Sequence, residues 1–396
     1  MFEKSRRQVP EAACYPLDYS FWSLRDRAFE KEDARVGIER RYGPGMDDDG
    51  VLIPAQRKMG IGKEVSGAGR VIAERKDIYQ NRRMANIGVK KAEEVLSGLE
   101  RNSRADLAGL TGSAQGCAEL LEEIHAAVSS MEEECVRRAI LPARALAGRL
   151  ERAARGADRR WSADTFLADL SGREDRLQRQ LRELTDRTDI LFGFTDDVKS
   201  GMSLTGLMEK YPQSEEGFTR LLRANGYMAK PAGCLLKACS WSEDPELLME
   251  ILRPMYRAKR ERRQDEEAAA PSYEEVCAKV RKDLGERRYG ELVPYMEFYR
   301  LAAEVVQETD YLEQGFGMQL RRVWPGIMKT MGAGLSDPDD LKYLFYEELT
   351  KECREGALSQ EAEEKIRGRS QCRPKAENKW QEMNGEPARK FGRQRV

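Results

Sequence analysis

The sequence predicts a mainly α-helical protein, a multi-helix bundle preceded by an irregular N-terminal region containing a little β structure. Three observations predict it. Apolar side chains recur at alternating intervals of four and three over long stretches, the period of a helix with one buried stripe. Hydrophobic residues make up 40% and charged residues 35% of the 396, the balance expected of helices with a solvated, charge-rich outer face. Gly- and Pro-rich runs gather before about residue 85, where no stripe forms.

Residues 1–90 read as the irregular region. GPGMDDDG, VLIPAQ and GIGKEVSGAGR break any periodicity, and a short β-like piece spans Val71 to Tyr79. Residues 91–262 read as a helical bundle. Cys117, Leu121, Ile124, Val128, Met131 and Cys135 form the clearest stripe. Pro142 interrupts it, and a second helix carries Leu146, Leu150 and Ala153. A third begins near Asp164 to Asp169 and continues through Leu177, Leu181, Leu184 and Leu191, and the three read as packed together. A looser stretch follows, then FTRLLRANGY, AKPAGCLLKACSWSEDP and a short helix near Glu246 to Arg253, ending in the charged surface link RAKRERRQDEEAAAP. Residues 263–369 read as a second helical segment packing on the first: SYEEVCAKVRKDLGERR, VPYMEFYRLAAEVVQE and FGMQLRRVWPGIMKTMG, then a helix entered through DPDD with Ser336 or Asp337 as cap. Residues 370–396 read as a polar, basic, frayed tail.

The charge balance excludes some partners. With 68 basic and 69 acidic side chains the net charge is −1, so no overall field recruits nucleic acid or an anionic membrane. No apolar run approaches the roughly 20 residues that span a bilayer, and MFEKSRRQVPEAA lacks the apolar core of a signal peptide, so the expected location is the cytoplasm. The eight cysteines include no paired C-x-x-C motifs, so no metal cluster is expected.

Tests for catalytic motifs give structural readings. GIGKEVSGAG supplies glycines and Lys63, but Glu64 stands where a phosphate loop needs a hydroxyl. The single histidine, His125, lies mid-helix in IHAAVSS and cannot build a common zinc site by itself; it reads as a helix-surface or helix-interface residue. No G-x-S-x-G elbow is present. Asp339 with Asp340, and Glu347 with Glu348, sit at helix starts, where negative charge favours the dipole.

Two blocks carry a resemblance. DPDDLKYLFYEELTKECREG, with Asp339, Asp340, Tyr343, Leu344, Glu348 and Leu349, follows GMQLRRVWPGIMKTMGAG; LLRANGYMAKPAGCLLKACSWSEDPELLMEIL supplies Gly226, Trp241, Glu243 and Pro245. Together with DIYQN, Asp77 to Asn81, they resemble the helical linker of phosphoenolpyruvate synthases and rifampin phosphotransferases, PEP-utilising enzymes. Met228 replaces the usual arginine, and Gly233, Cys234, Leu235 and Leu236 replace the acidic residues that follow. The family's ATP-grasp domain and phosphohistidine domain are not visible. The resemblance therefore implies a helical subunit or relic that binds a hydrophobic acceptor, with proteins carrying the ATP-grasp and phosphohistidine domains as partners. It implies no catalytic residue, metal or cofactor of its own, and phosphoryl transfer by this chain alone is chemically unsupported. Tyr227, Lys230 and Trp241 flank the altered block and are the substrate-binding candidates. A non-enzymatic helical scaffold, read from the stripes and charged faces, is the alternative of a different class.

Overall fold

The computed structural model describes residues 14–35, 45–53, 84–102, 104–170, 172–230, 235–262 and 271–391. Its described residues form 15 α-helices and two short antiparallel strand pairs, so the mainly α expectation is met. The β-like piece at Val71–Tyr79, Lys63 with its glycine loop, and DIYQN lie outside the described residues.

Within the N-terminal region, expected to be irregular, residues 16–35 form two helices. Helices α1 (Pro16–Trp22) and α2 (Leu24–Arg35) bury Leu17, Phe21, Trp22, Ala28 and Phe29. Their stripe is hidden in the sequence because Asp18, Arg25 and Asp26 share the buried face. Arg25 is neutralised there by Glu132 and Asp310, each with an oxygen 2.6 Å away, which is how an ion survives burial. The small β content is the pair β1 (Gly45–Met46) and β2 (Leu52–Ile53), joined by a turn in which Asp47 accepts from the backbone of Val51.

The larger core gathers α1 and α2 with α3 (Ile87–Arg101), α4 (Arg104–Leu110), α5 (Ala114–Cys135), α6 (Leu141–Ala157), α12 (Tyr273–Leu284), α13 (Glu286–Met331), α14 (Tyr346–Glu355) and α15 (Gln360–Phe391). Ser113 caps α5 by accepting from the Gly116 amide, and the predicted stripe from Cys117 to Cys135 is buried. Pro142 does not break the chain here. A π turn over Val136–Ile140 precedes it, and the backbone stays helical through the proline, the second residue of α6.

The spine is α13, with 46 residues, about 70 Å at 1.5 Å per residue. Two segments expected as separate helices fuse in it despite Pro294 and Pro325. An interior proline costs about 3 kcal/mol, while each large aliphatic or Phe side chain buried between Leu292 and Met331 returns roughly 1.5–3 kcal/mol, so continuity wins. Gly285, at φ +75°, supplies the break from α12 that the prolines do not. Residues expected as a frayed tail after 370 continue α15 as far as Phe391.

The second correction concerns grouping. Helix α7 (Arg173–Asp189) does not pack with α5 and α6. Leu177, Leu181 and Leu184 instead build a smaller core with α8 (Phe194–Ser200), α9 (Leu204–Lys210), α10 (Pro212–Asn225), Trp241 and α11 (Leu247–Arg262). Spacing shows that those leucines face inward; it does not show into which core.

Candidate functional site

The three predicted binding residues all belong to one hairpin, β3 (Ala229–Lys230) with β4 (Cys239–Ser240), extended by the bond from the Trp241 amide to the Met228 carbonyl. They point to three different surroundings. Trp241 is buried in the smaller core. Lys230 is half-exposed, with its ammonium 3.8 Å from Glu250. Tyr227 packs against the larger core, its ring 4.9 Å from that of Tyr311, and its hydroxyl donates to Glu100. Burial and the neighbouring Glu100 carboxylate push the Tyr227 phenol far up. The trio therefore shares a strand pair while its side chains part: Trp241 and Lys230 stay with the smaller core, and Tyr227 alone crosses to the larger one.

Of the altered block, Gly233 and Cys234 lie outside the described residues, and Leu235 and Leu236 sit on the larger core. Leu235 is buried against α13, and the Leu236 amide donates 2.8 Å to Asp18. Burial raises the Asp18 carboxyl to about 6, even with that amide holding it. Glu243 accepts from both Arg321 (2.6 and 2.8 Å) and Ser240. Its burial opposes ionisation, but these donors outweigh it and hold the carboxyl low.

At the joint between the two cores, Arg173 opens α7. Its guanidinium binds Glu308 through two nitrogens (2.6 and 3.0 Å), donates to the Ala224 carbonyl at 2.9 Å, and lies 3.5 Å from the centre of the Tyr311 ring. Beside it α3, α7 and α13 enclose a cleft of about 250 Å³ bordered by Lys90, Glu93, Arg176 and Glu304. Burial and then the charge of Glu308 raise the Glu93 carboxyl. The cleft adjoins a shallow, open trough of about 690 Å³ lined by one face of α3 alone: Lys90, Glu93, Glu94, Ser97, Glu100 and Arg101. Neither was singled out in the sequence, because charged residues on a helix face ordinarily mean only solvation.

His125 stacks face to face on Tyr346, with centroids 3.7 Å apart and planes within 4°, and meets the edge of Phe21. Burial lowers its pKa to about 4. A neutral imidazole clamped between rings is an interface residue, as its place in the helix suggested. The carboxylates at the helix starts are engaged too. Asp339 accepts from the Trp324 indole (2.8 Å), Asp337 caps a 3₁₀ turn over Pro338–Tyr343, and Glu348 binds Arg369 and the Phe345 amide. Among the described residues no three His, Cys, Asp or Glu side chains are placed to hold a metal ion, and no helix is long and apolar enough to cross a membrane.

One exposed feature escaped the sequence reading. Ile190 and Phe192, on the turn from α7 to α8, are 83% and 101% exposed. ILF looks like a continuation of the apolar stripe, and only Leu191 of the three packs inward. No protein-family model matches the chain, and no curated protein matches it.

Proposed function

We propose that this protein is a non-enzymatic helical interaction scaffold whose partner lies along the outer face of α3. The observation that carries this reading is the continuity of the cleft and the trough. They share Lys90 and Glu93, and the cleft at one end adds the first turn of α7 to the α3 face. A segment lying there touches both cores at once. From Asn86 to Arg101 the floor runs about 22 Å at 1.5 Å per residue, room for about four turns of a partner helix. Lys90, Glu93, Glu94, Glu100 and Arg101 mix both signs, which suits a charged segment of matching pattern better than an apolar molecule. The test is charge reversal of Lys90→Glu with Arg101→Glu, both at exposed positions. Affinity capture from the source cells is expected to lose a reproducible set of proteins while the unfolding midpoint stays put. Identical capture by both chains would sink the reading.

A second reading keeps the resemblance: a substrate-binding linker of PEP-utilising enzymes, served by separate ATP-grasp and phosphohistidine proteins. What favours it is that the resembling segments touch. Arg321 pairs with Glu243, and Trp324 with Asp339. Thermal unfolding with ATP, phosphoenolpyruvate and a panel of bulky hydrophobic acceptors separates the two, since a ligand of the native state raises the midpoint. A rise with an acceptor supports this linker; no shift with any of them leaves the scaffold.

A further inference from the structure

The turn between α7 and α8 holds two apolar side chains out in water. Scattered exposed apolar residues are ordinary, but Ile190 and Phe192 are near neighbours. Their 83% and 101% exposure stands well above that of Leu110 (41%) and Met84 (36%), the other exposed large apolar residues among those described. The turn that presents them is tied down. Leu191 donates to the Thr188 carbonyl, and Phe194 to that of Leu191. Gly193 sits at φ +81°, where a side chain would be strained. The Tyr211 hydroxyl donates to Asp197 on the first turn of α8, Thr195 to Asp189 at 3.1 Å, and Phe194 is fully buried beneath. The tip is thus ordered in advance, and little conformational freedom is lost when it is covered.

Charge narrows what can cover it. Residues 186–197 carry Asp186, Asp189, Asp196 and Asp197 against one base, Arg187. An anionic bilayer or a nucleic acid meets repulsion there. A second surface lies next to it on the same helix. Between α7 and α10 runs a shallow groove with Leu184, Gly217 and Leu221 in its floor and Glu183, Arg187 and Arg220 on its rim, two bases against one acid. The two helices are antiparallel, since Asn225 bonds Gln180 at one end while Gly217 meets Leu184 further along. With only about 40 Å³ of room, well short of the roughly 150 Å³ of a cavity that takes up benzene, the groove receives a ring laid across it rather than inserted.

We infer that the chain pairs with a second copy of itself about a twofold axis, α7 antiparallel to α7, with Ile190 and Phe192 of each copy lying on the α7–α10 groove of the other. Tip and groove follow one another along a single stripe, Gln180, Glu183, Leu184, Arg187 and Ile190. Arg187 and Ile190 are about 4.5 Å apart along the axis. Antiparallel alignment therefore brings both tips to both grooves in one closed, self-complementary contact. Asp196 of each tip then faces Arg220 of the other groove. This surface is separate from the α3 trough and stands without it.

Sedimentation of the purified full chain from about 1 µM to about 300 µM tests the pairing. The weight-average mass is expected to rise from 45.2 kDa toward twice that value. Phe192→Ser, at a fully exposed position, should stay at the single-chain mass with an unchanged unfolding midpoint. Asp196→Arg and Arg220→Glu should each weaken self-association at least tenfold, because each places like charges in both halves of the contact. A mixture of those two variants should recover pairing, one half of the mixed contact being native and the other reversed. A wild-type chain that remains single throughout, a dimer indifferent to Phe192→Ser, or a mixture that fails to recover would each overturn the inference. So would Phe192-dependent binding to phosphatidylserine vesicles.

Discussion

His125 is the only histidine of the chain, so its titration can be followed by NMR without assignment. Burial between Tyr346 and Phe21 lowers its pKa to about 4 from the ordinary 6.5, opposed by Glu347 and abetted by Arg27. A depressed histidine favours the neutral form in the fold. Its contribution is therefore fully present above pH 6.5 and is lost as the pH falls from there toward 4. At 1.36 kcal/mol per pH unit, discounted for partial exposure, the loss is about 2 kcal/mol. The imidazole resonances are expected to show no midpoint above pH 5. His125→Phe, which keeps a ring on Tyr346, should flatten the acid-side fall in urea-unfolding free energy by about that amount. A midpoint near 6.5 would mean the imidazole is solvated. The helix position alone told that this residue faces a neighbour; the stacking that sets its pKa comes from α1 and α14, which no local pattern reveals.

At the scale of an element, α13 shows how packing overrules propensity. Gly290 and Gly315 sit in the same helix. A Cβ at Gly290 meets nothing within 4 Å, whereas one at Gly315 lies 2.7 Å from Leu96 and 2.8 Å from the Tyr227 ring. Gly290→Ala is expected to gain up to about 1 kcal/mol from helix propensity. Gly315→Ala should lose about 1–3 kcal/mol, since Tyr227 is backed by Tyr311 and cannot retreat. Urea unfolding of the two variants checks the opposite signs, and equal gains would show that Tyr227 is loosely held. The same helix marks the limit of what periodicity conveys. The stripe on α5 was legible because its charges face outward. Helices α1 and α2 were not, because Asp18 and Arg25 are buried among their apolar residues. Of the candidate site, that Tyr227, Lys230 and Trp241 flank one block was legible; what each of them touches was not. That the hairpin faces them apart depends on the pairing of Ala229 with Ser240, between residues whose intervening sequence sets no register.

The described residues form two hydrophobic cores on one spine, and polar contacts hold the smaller to the larger. Arg173 with Glu308, Tyr227 with Glu100 and Tyr311, Gln314 with the Ala229 amide, and Arg321 with Glu243 line that joint. Apolar burial is cooperative within each core, so the joint decides whether the two unfold together. Arg173→Met keeps an apolar arm near Tyr311 but leaves Glu308 with only Arg176, 3.6 Å away. Stranding one member of a fully buried pair costs about 3–5 kcal/mol. With partial exposure and Arg176 nearby, about 2 kcal/mol is expected. The loss should fall on one side of the joint. Hydrogen exchange is expected to speed up in α7 to α11 while α5 and the middle of α13 keep their protection. Fluorescence should then report the smaller core early through Trp241, ahead of Trp22, Trp161 and Trp324 in the larger part. Equal loss of protection in both cores would instead make them one cooperative unit. The ion pair would then stabilise the whole fold, and the smaller core could not move against the spine without unfolding it.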